Sequence, residues 1–176
     1  MFGSGRYAIY VDGSKKKTIT SFGVVIVEKE YKNNGEYKII ESSCGIISTD
    51  DSVTSCDAEI YSALRGLSII SLREDVKEIE ICYDCCAIAI IGDKTKSLRN
   101  SPYRDKFLSL LEKYMSNVFV KFTKIKSHSG DKYNDIADSL ASKAIEDYLK
   151  SNNEDKLIKP KVSINKDSQK ETKNNL

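Results

Sequence analysis

The sequence predicts an α/β domain, a five-stranded mixed sheet with helices packed on it. Three observations carry this. Short alternating or β-branched runs recur at Arg6–Asp12, Phe22–Val27, Tyr37–Ile47, Glu78–Tyr83 and Val118–Ile125. The first three follow one another with only turns between them, the pattern of an antiparallel meander. Stretches with apolar residues at helical spacing then separate and follow the last two strands, as expected of helices covering a sheet.

Each element has its own local reason. Tyr7, Ile9 and Val11 alternate with Ala8 and Tyr10, and this first strand runs into Asp12-Gly13-Ser14. Lys15, Lys16 and Lys17 follow as a basic turn, most simply a solvated one. Phe22–Val27 reads as a buried strand, and Asn33-Asn34-Gly35 is a turn signal before the third. Thr54 and Ser55 are candidate caps for a helix through Leu72, with a stripe of Ile60, Ala63, Leu64, Leu67 and Ile70 and with Glu59 beside it. Strand Glu78–Tyr83 ends at Asp84. A short apolar helix through Ile91 and a polar loop, Gly92–Ser101, come next. Pro102 suits the opening of a further helix that buries Phe107, Leu108, Leu110, Leu111 and Tyr114. The fifth strand ends in a loop holding the only histidine, His128. Asp131 can cap the last helix, whose stripe (Ile136, Ala137, Leu140, Ala141, Ala144, Ile145) is interrupted at its edge by Asp138, one turn from Asn134.

Composition narrows the function. The chain has 176 residues, enough for one proper core, so 1–150 is expected to be the domain. From Ser151 the periodicity gives way to Asn, Lys, Ser and acids, so 151–176 is expected to be a disordered tail. No apolar run approaches a membrane span, and Met1–Arg6 lacks a signal-peptide core; a soluble, cytoplasmic protein without a membrane partner is expected. Five cysteines in such a chain suggest reduced thiols. Cys82 and Cys85 form a C-x-x-C pair with Cys86 beside it, but Cys44, Cys56 and His128 do not complete a zinc spacing. The net charge is only +2, so any nucleic-acid surface must be a local patch.

Four acids stand where uncompensated charge is unfavourable. Asp12 and Asp84 end apolar strands, Glu59 lies beside the first helix's buried stripe, and Asp138 borders that of the last. Carboxylates sharing a low-dielectric site raise one another's pKa values, and hard divalent cations such as Mg²⁺ and Mn²⁺ relieve that conflict. The alternative is four unrelated surface acids, and spacing alone leaves it open.

The local sequences go further. Tyr-Val-Asp-Gly-Ser (Tyr10–Ser14), Ala-Glu-Ile-Tyr-Ser-Ala-Leu (Ala58–Leu64), Ile-Cys-Tyr-Asp (Ile81–Asp84) and Ser-His-Ser-Gly-Asp-Lys-Tyr-Asn-Asp-Ile-Ala-Asp (Ser127–Asp138) resemble, in order, the four motifs of type 1 ribonuclease H. The resemblance covers Arg6 to about Tyr148. It implies the RNase H-like fold, with three antiparallel strands and then two parallel ones. It also implies an endonuclease that cuts the RNA strand of RNA–DNA hybrids with two Mg²⁺ ions, Mn²⁺ being a possible substitute. By the resemblance, Asp12 would bridge the ions, Glu59 and Asp84 would complete one shell, and Asp138 would hold the other ion. His128 would be an auxiliary residue on a mobile loop. Gly13, Ser14 and Asn134 would face the RNA strand, and Thr54 and Ser55 a DNA phosphate. A monomer with no obligate protein partner is expected. The chain departs from many members at Ser55, Cys56 and Asp57, at Cys86, and at Lys15–Thr18. It also lacks a Trp-bearing basic protrusion, in whose place stands a loop with Lys94, Lys96, Arg99 and Arg104. Two other functions are weighed beside this one: a catalytically silent module of the same fold that binds nucleic acid or protein, and a related nuclease acting on another duplex.

Overall fold

A central first strand organises the molecule. The computed structural model describes residues 4–30, 36–85, 88, 101–127 and 129–157. Their strands are β1 (Arg6–Lys16), β2 (Ile19–Glu28), β3 (Lys38–Ser48), β4 (Glu78–Tyr83) and β5 (Phe119–Lys124), in the sheet order β3-β2-β1-β4-β5. β1–β2 and β2–β3 pair antiparallel, while β1–β4 and β4–β5 pair parallel. Among the described residues the helices are α1 (Ser55–Ile70), α2 (Arg104–Met115) and α3 (Lys132–Leu157).

The pleat of β1 sorts its side chains between two cores. Tyr7, Ile9 and Val11 pack with Val24 and Ile26 of β2, with Ile60, Leu67 and Ile70 of α1, and with Phe107 and Leu111 of α2. Ala8 and Tyr10 face the other way, onto Val25, Val27, Cys82, Tyr133 and Ala137, under α3. Both β1 and β2 are therefore covered on both faces, which is why their sequences read as nearly continuous apolar runs.

Three boundaries differ from the sequence reading by more than two residues. β1 and β2 extend through the basic turn, with Lys15 paired to Thr20 and Lys16 to Ile19. The chain reverses at Lys17, whose φ of 56° is left-handed. Lys15 is only partly solvated: its Nζ donates to the Val53 carbonyl at 2.9 Å and lies 3.4 Å from Asp51. α3 continues to Leu157, seven residues beyond the point where apolar periodicity fades. A polar helix needs no buried stripe to propagate from a packed one, and Ser151 and Asn152 bond back to the carbonyls of Asp147 and Tyr148. The turn Asn33-Asn34-Gly35, His128, the remainder of the tail and most of the chain from Cys86 to Asn100 lie outside the described residues.

Candidate active site

Parallel pairing brings the first two acids together. The last registered β1–β4 pair is Tyr10 with Cys82, and Asp12 and Asp84 each lie two residues beyond it, at the same end of the sheet. Two residues also preserve the pleat, so both follow the face that carries α3.

Two glycines let the helices close on this end. Asp12 pairs with Gly23, where a Cβ would stand 2.1 Å from the Ala137 carbonyl oxygen. Its absence seats α3 directly on β2 and places Asp138 above Asp12. Ser21 fixes the seat by donating to the Ala141 carbonyl at 2.7 Å. On the opposite face a Cβ at Gly13 would lie 2.4 Å from the Ser55 carbonyl oxygen and 2.8 Å from the Glu59 nitrogen. The first turn of α1 can therefore touch β1. Ser62 ties the two, donating to the Asp12 carbonyl at 2.7 Å.

Caps set the start of each helix. Thr54 and Asp57 form a reciprocal capping box on α1. Asp131 Oδ1 accepts from the backbone N–H groups of Tyr133 and Asn134, both at 3.1 Å, and opens α3 as its sequence predicts.

The result is a cavity of about 150 Å³ lined by Asp12, Gly13, Ser14, Asp84, Asn134 and Asp138. Glu59 is not in its wall. It lies behind it, only 1 % exposed, with Oε1 accepting from the backbone N–H groups of Asp84 and Cys85, both at 3.2 Å. Its Oε2 is buried without a partner, and so is Asn134 Oδ1.

The electrostatics are those of acids short of positive charge. Burial pushes the Asp12 carboxyl up to about 6, with Asp84 and Asp138 adding to the rise against a hydrogen bond from the Gly13 N–H. Burial pushes Glu59 further, to about 8, reinforced by the charges of Asp84 and Asp12 and opposed by the N–H and thiol of Cys85. Glu80, one strand position below Ile81, is the contrast. Burial alone would raise it, yet hydrogen bonds from Lys29, Thr123 and Lys121 hold it at about 2. The protein thus supplies its own cations to Glu80. Among the described residues, none of the ion pairs involves Asp12, Glu59, Asp84 or Asp138.

An all-oxygen set of this kind, with an orphaned buried carboxylate oxygen and raised proton affinity, suits a hard divalent cation. Among the described residues no three acids, thiols or imidazoles stand close enough together to hold an ion.

The remaining residues of interest divide. Ser14 and Asn134 line the cavity beside the acids, whereas Ser55 is exposed at the start of α1. The Thr54 hydroxyl is engaged in the cap, donating to Asp57 Oδ2 at 2.6 Å. A second hollow, about 450 Å³, lies among Ser52, Ser101, Pro102, Arg104 and Asp105.

A family model for RNase H matches residues 4–146. The chain belongs to the RNase H family. Ribonuclease H of Clostridium botulinum strain Hall is 25 % identical over 156 residues, covering 80 % of this chain and 95 % of that protein. RNase H1 from the halophilic archaeon Halobacterium salinarum superposes with a TM-score of 0.63 at 19 % identity, covering 81 % of this chain and 98 % of that one. LC11-RNase H1, solved in complex with an RNA/DNA hybrid, gives a TM-score of 0.62 at 21 % identity, covering 82 % and 99 %. At these identities the likeness to the solved structures establishes the fold. In this RNase H-family chain the strand order and the parallel and antiparallel pairings are those the motifs implied.

The sequence reading gives no role to three positioning residues: Gly23, Ser62, which lies within the second motif, and Cys85. Gly23 reads as one glycine in an apolar strand, and Ser62 as a polar interruption of a helix. For Cys85 the available signal was its place directly after Asp84.

Proposed function

We propose that this chain is an endonuclease that hydrolyses the RNA strand of RNA–DNA hybrids, using two divalent cations and leaving 5′-phosphate and 3′-hydroxyl ends. One observation carries the reading: Asp12, Asp84 and Asp138 line one cavity, and behind it lies a buried Glu59 whose second oxygen lacks a partner. Asp12, Glu59, Asp84 and Asp138 would hold Mg²⁺, or Mn²⁺ in its place. When bound, the ions supply Lewis acidity that generates the nucleophile and stabilises the departing 3′ oxygen.

The chain's own groups do the rest. Asp12 sits centrally, between Asp84 just past the end of the adjoining strand and Asp138 above. Glu59 is braced by two backbone N–H groups, so its free oxygen has a fixed place to reach from. Ser14 and Asn134, in the cavity wall, would read ribose 2′-hydroxyls and the scissile region of the RNA strand. The hollow among Ser52, Ser101 and Arg104 would take a phosphate of the DNA strand, together with the exposed Ser55 and the backbone at Thr54. The hybrid in the LC11-RNase H1 crystal supports this substrate class. His128 would assist departure of product.

A second reading, a silent module that binds without cutting, draws on the absence among the described residues of an acid trio close enough to hold an ion. Labelled RNA–DNA hybrid, RNA duplex and DNA duplex, each with Mg²⁺ or Mn²⁺, separate the readings. Cleavage of the RNA strand of the hybrid alone supports the nuclease. Binding of the hybrid without cleavage supports the module, and cleavage of another duplex moves the substrate assignment.

A further inference from the structure

The Cys56 and Cys85 sulfurs are 3.0 Å apart, inside van der Waals contact and about 1 Å beyond a covalent S–S bond. They come from different elements. Cys56 is in the first turn of α1, one helical turn before Glu59, and Cys85 directly follows Asp84. Both are half-buried and not disulfide-bonded. We infer that Cys56 and Cys85 form a redox-responsive pair whose closure to a disulfide loosens the hold on Glu59 and weakens cation binding at the acid cavity.

The coupling is short. Cys85 holds Glu59 through its backbone N–H, which donates to Oε1 at 3.2 Å, and its thiol S–H favours the ionised form of the same carboxylate. Closing the bond consumes that S–H and draws the segment after Asp84 toward α1. Two of the four acids are thereby disturbed at once. Formation of the bond is independent of the nuclease reading; its effect on cleavage rests on it.

The oxidant is of the low-molecular-weight disulfide class. One protein thiolate attacks a reagent sulfur, releasing one reagent thiolate and leaving a mixed disulfide on the protein. The second protein thiolate attacks the protein-bound sulfur and releases the other reagent thiolate. Two protein thiols become one disulfide, the reagent disulfide is reduced to two thiols, and the two protons from the protein end on them.

The test treats the full chain with oxidised glutathione, with and without subsequent dithiothreitol, beside Cys56→Ser, Cys85→Ser and Cys86→Ser. Intact mass after alkylation is expected to show loss of two hydrogens with no glutathione retained. The same is expected in Cys86→Ser, but in neither Cys56→Ser nor Cys85→Ser. Mn²⁺ affinity by calorimetry, and cleavage of a labelled hybrid, are expected to fall about tenfold or more on closure, the scale for losing a residue that orients a ligand, and to return on reduction. Closure that persists in Cys85→Ser, no closure in the wild type, or closure with unchanged Mn²⁺ affinity overturns the inference. Closure with reduced Mn²⁺ affinity but no cleavage in either state supports the pair and refutes the nuclease reading instead.

Discussion

Replacing Glu59 by Gln isolates the charge that the fold leaves uncompensated. The amide keeps an oxygen to accept from the Asp84 and Cys85 N–H groups, and it cannot ionise. In the wild type, burial and the neighbouring acids raise Glu59 from 4.5 to about 8, and Asp12 rises from 3.8 to about 6. Both acids hold their protons more tightly folded than unfolded. The folded protein therefore binds more protons than the unfolded chain from about pH 4 to 8, and without a divalent cation its stability falls as pH rises through that window. Each tenfold in proton affinity corresponds to about 1.4 kcal/mol, so Glu59 alone accounts for about 3 kcal/mol at about pH 9, once relaxation and entering water are allowed for. In a domain of this size that is roughly 6–12 °C in Tm. Thermal unfolding in a chelator, at about pH 5 and about pH 9, measures it. Glu59→Gln is expected to match the wild type at the lower pH, to exceed it by that margin at the higher, and to keep only the shallower slope left by Asp12. Equal slopes for the two proteins, or a wild type that gains stability towards about pH 9, would show that the fold does not raise the proton affinity of Glu59.

Other substitutions probe other parts of the site. Asp12→Asn removes the central carboxylate and is expected to abolish cleavage of a labelled hybrid while keeping the fold by circular dichroism. His128→Ala, by contrast, is expected to slow turnover without abolishing it. Gly23→Ala places a methyl against the Ala137 carbonyl, where a Cβ would be 2.1 Å from the oxygen, so α3 must lift from β2. About 2–3 kcal/mol of stability should be lost in urea unfolding, and Mn²⁺ affinity should fall as Asp138 moves from Asp12. Thr54→Ala dissolves the α1 capping box and should lower stability by about 1 kcal/mol, as read from the same unfolding curves.

Most of the architecture was legible because it follows from pattern. The alternation of Tyr7, Ile9 and Val11 with Ala8 and Tyr10 fixes which side of β1 meets α1 and which meets α3. Glu78–Tyr83, bounded by charges and by Asp84, matches its strand end for end. The basic turn misled because Lys15 looks solvated in sequence, whereas in three dimensions the Val53 carbonyl lies within reach. The end of α3 misled because a polar helix continuing from a packed one carries no apolar periodicity. Site geometry was legible only as a list of acids. Nothing in the one-dimensional order says that Glu59 lies behind the cavity wall formed by the other three, because that depends on how closely Gly13 lets α1 approach β1. Nor does it bring Cys56 to Cys85, since their contact is made by packing across the end of the sheet.

Anomalous diffraction from Mn²⁺-soaked crystals shows directly whether the four carboxylates share ions. Two peaks are expected in the cavity, both within coordination distance of Asp12, one also touched by Glu59 and Asp84 and the other by Asp138. Peaks that avoid Asp12, or crystals in which the four carboxylates stay apart with no ion among them at saturating Mn²⁺, would contradict it.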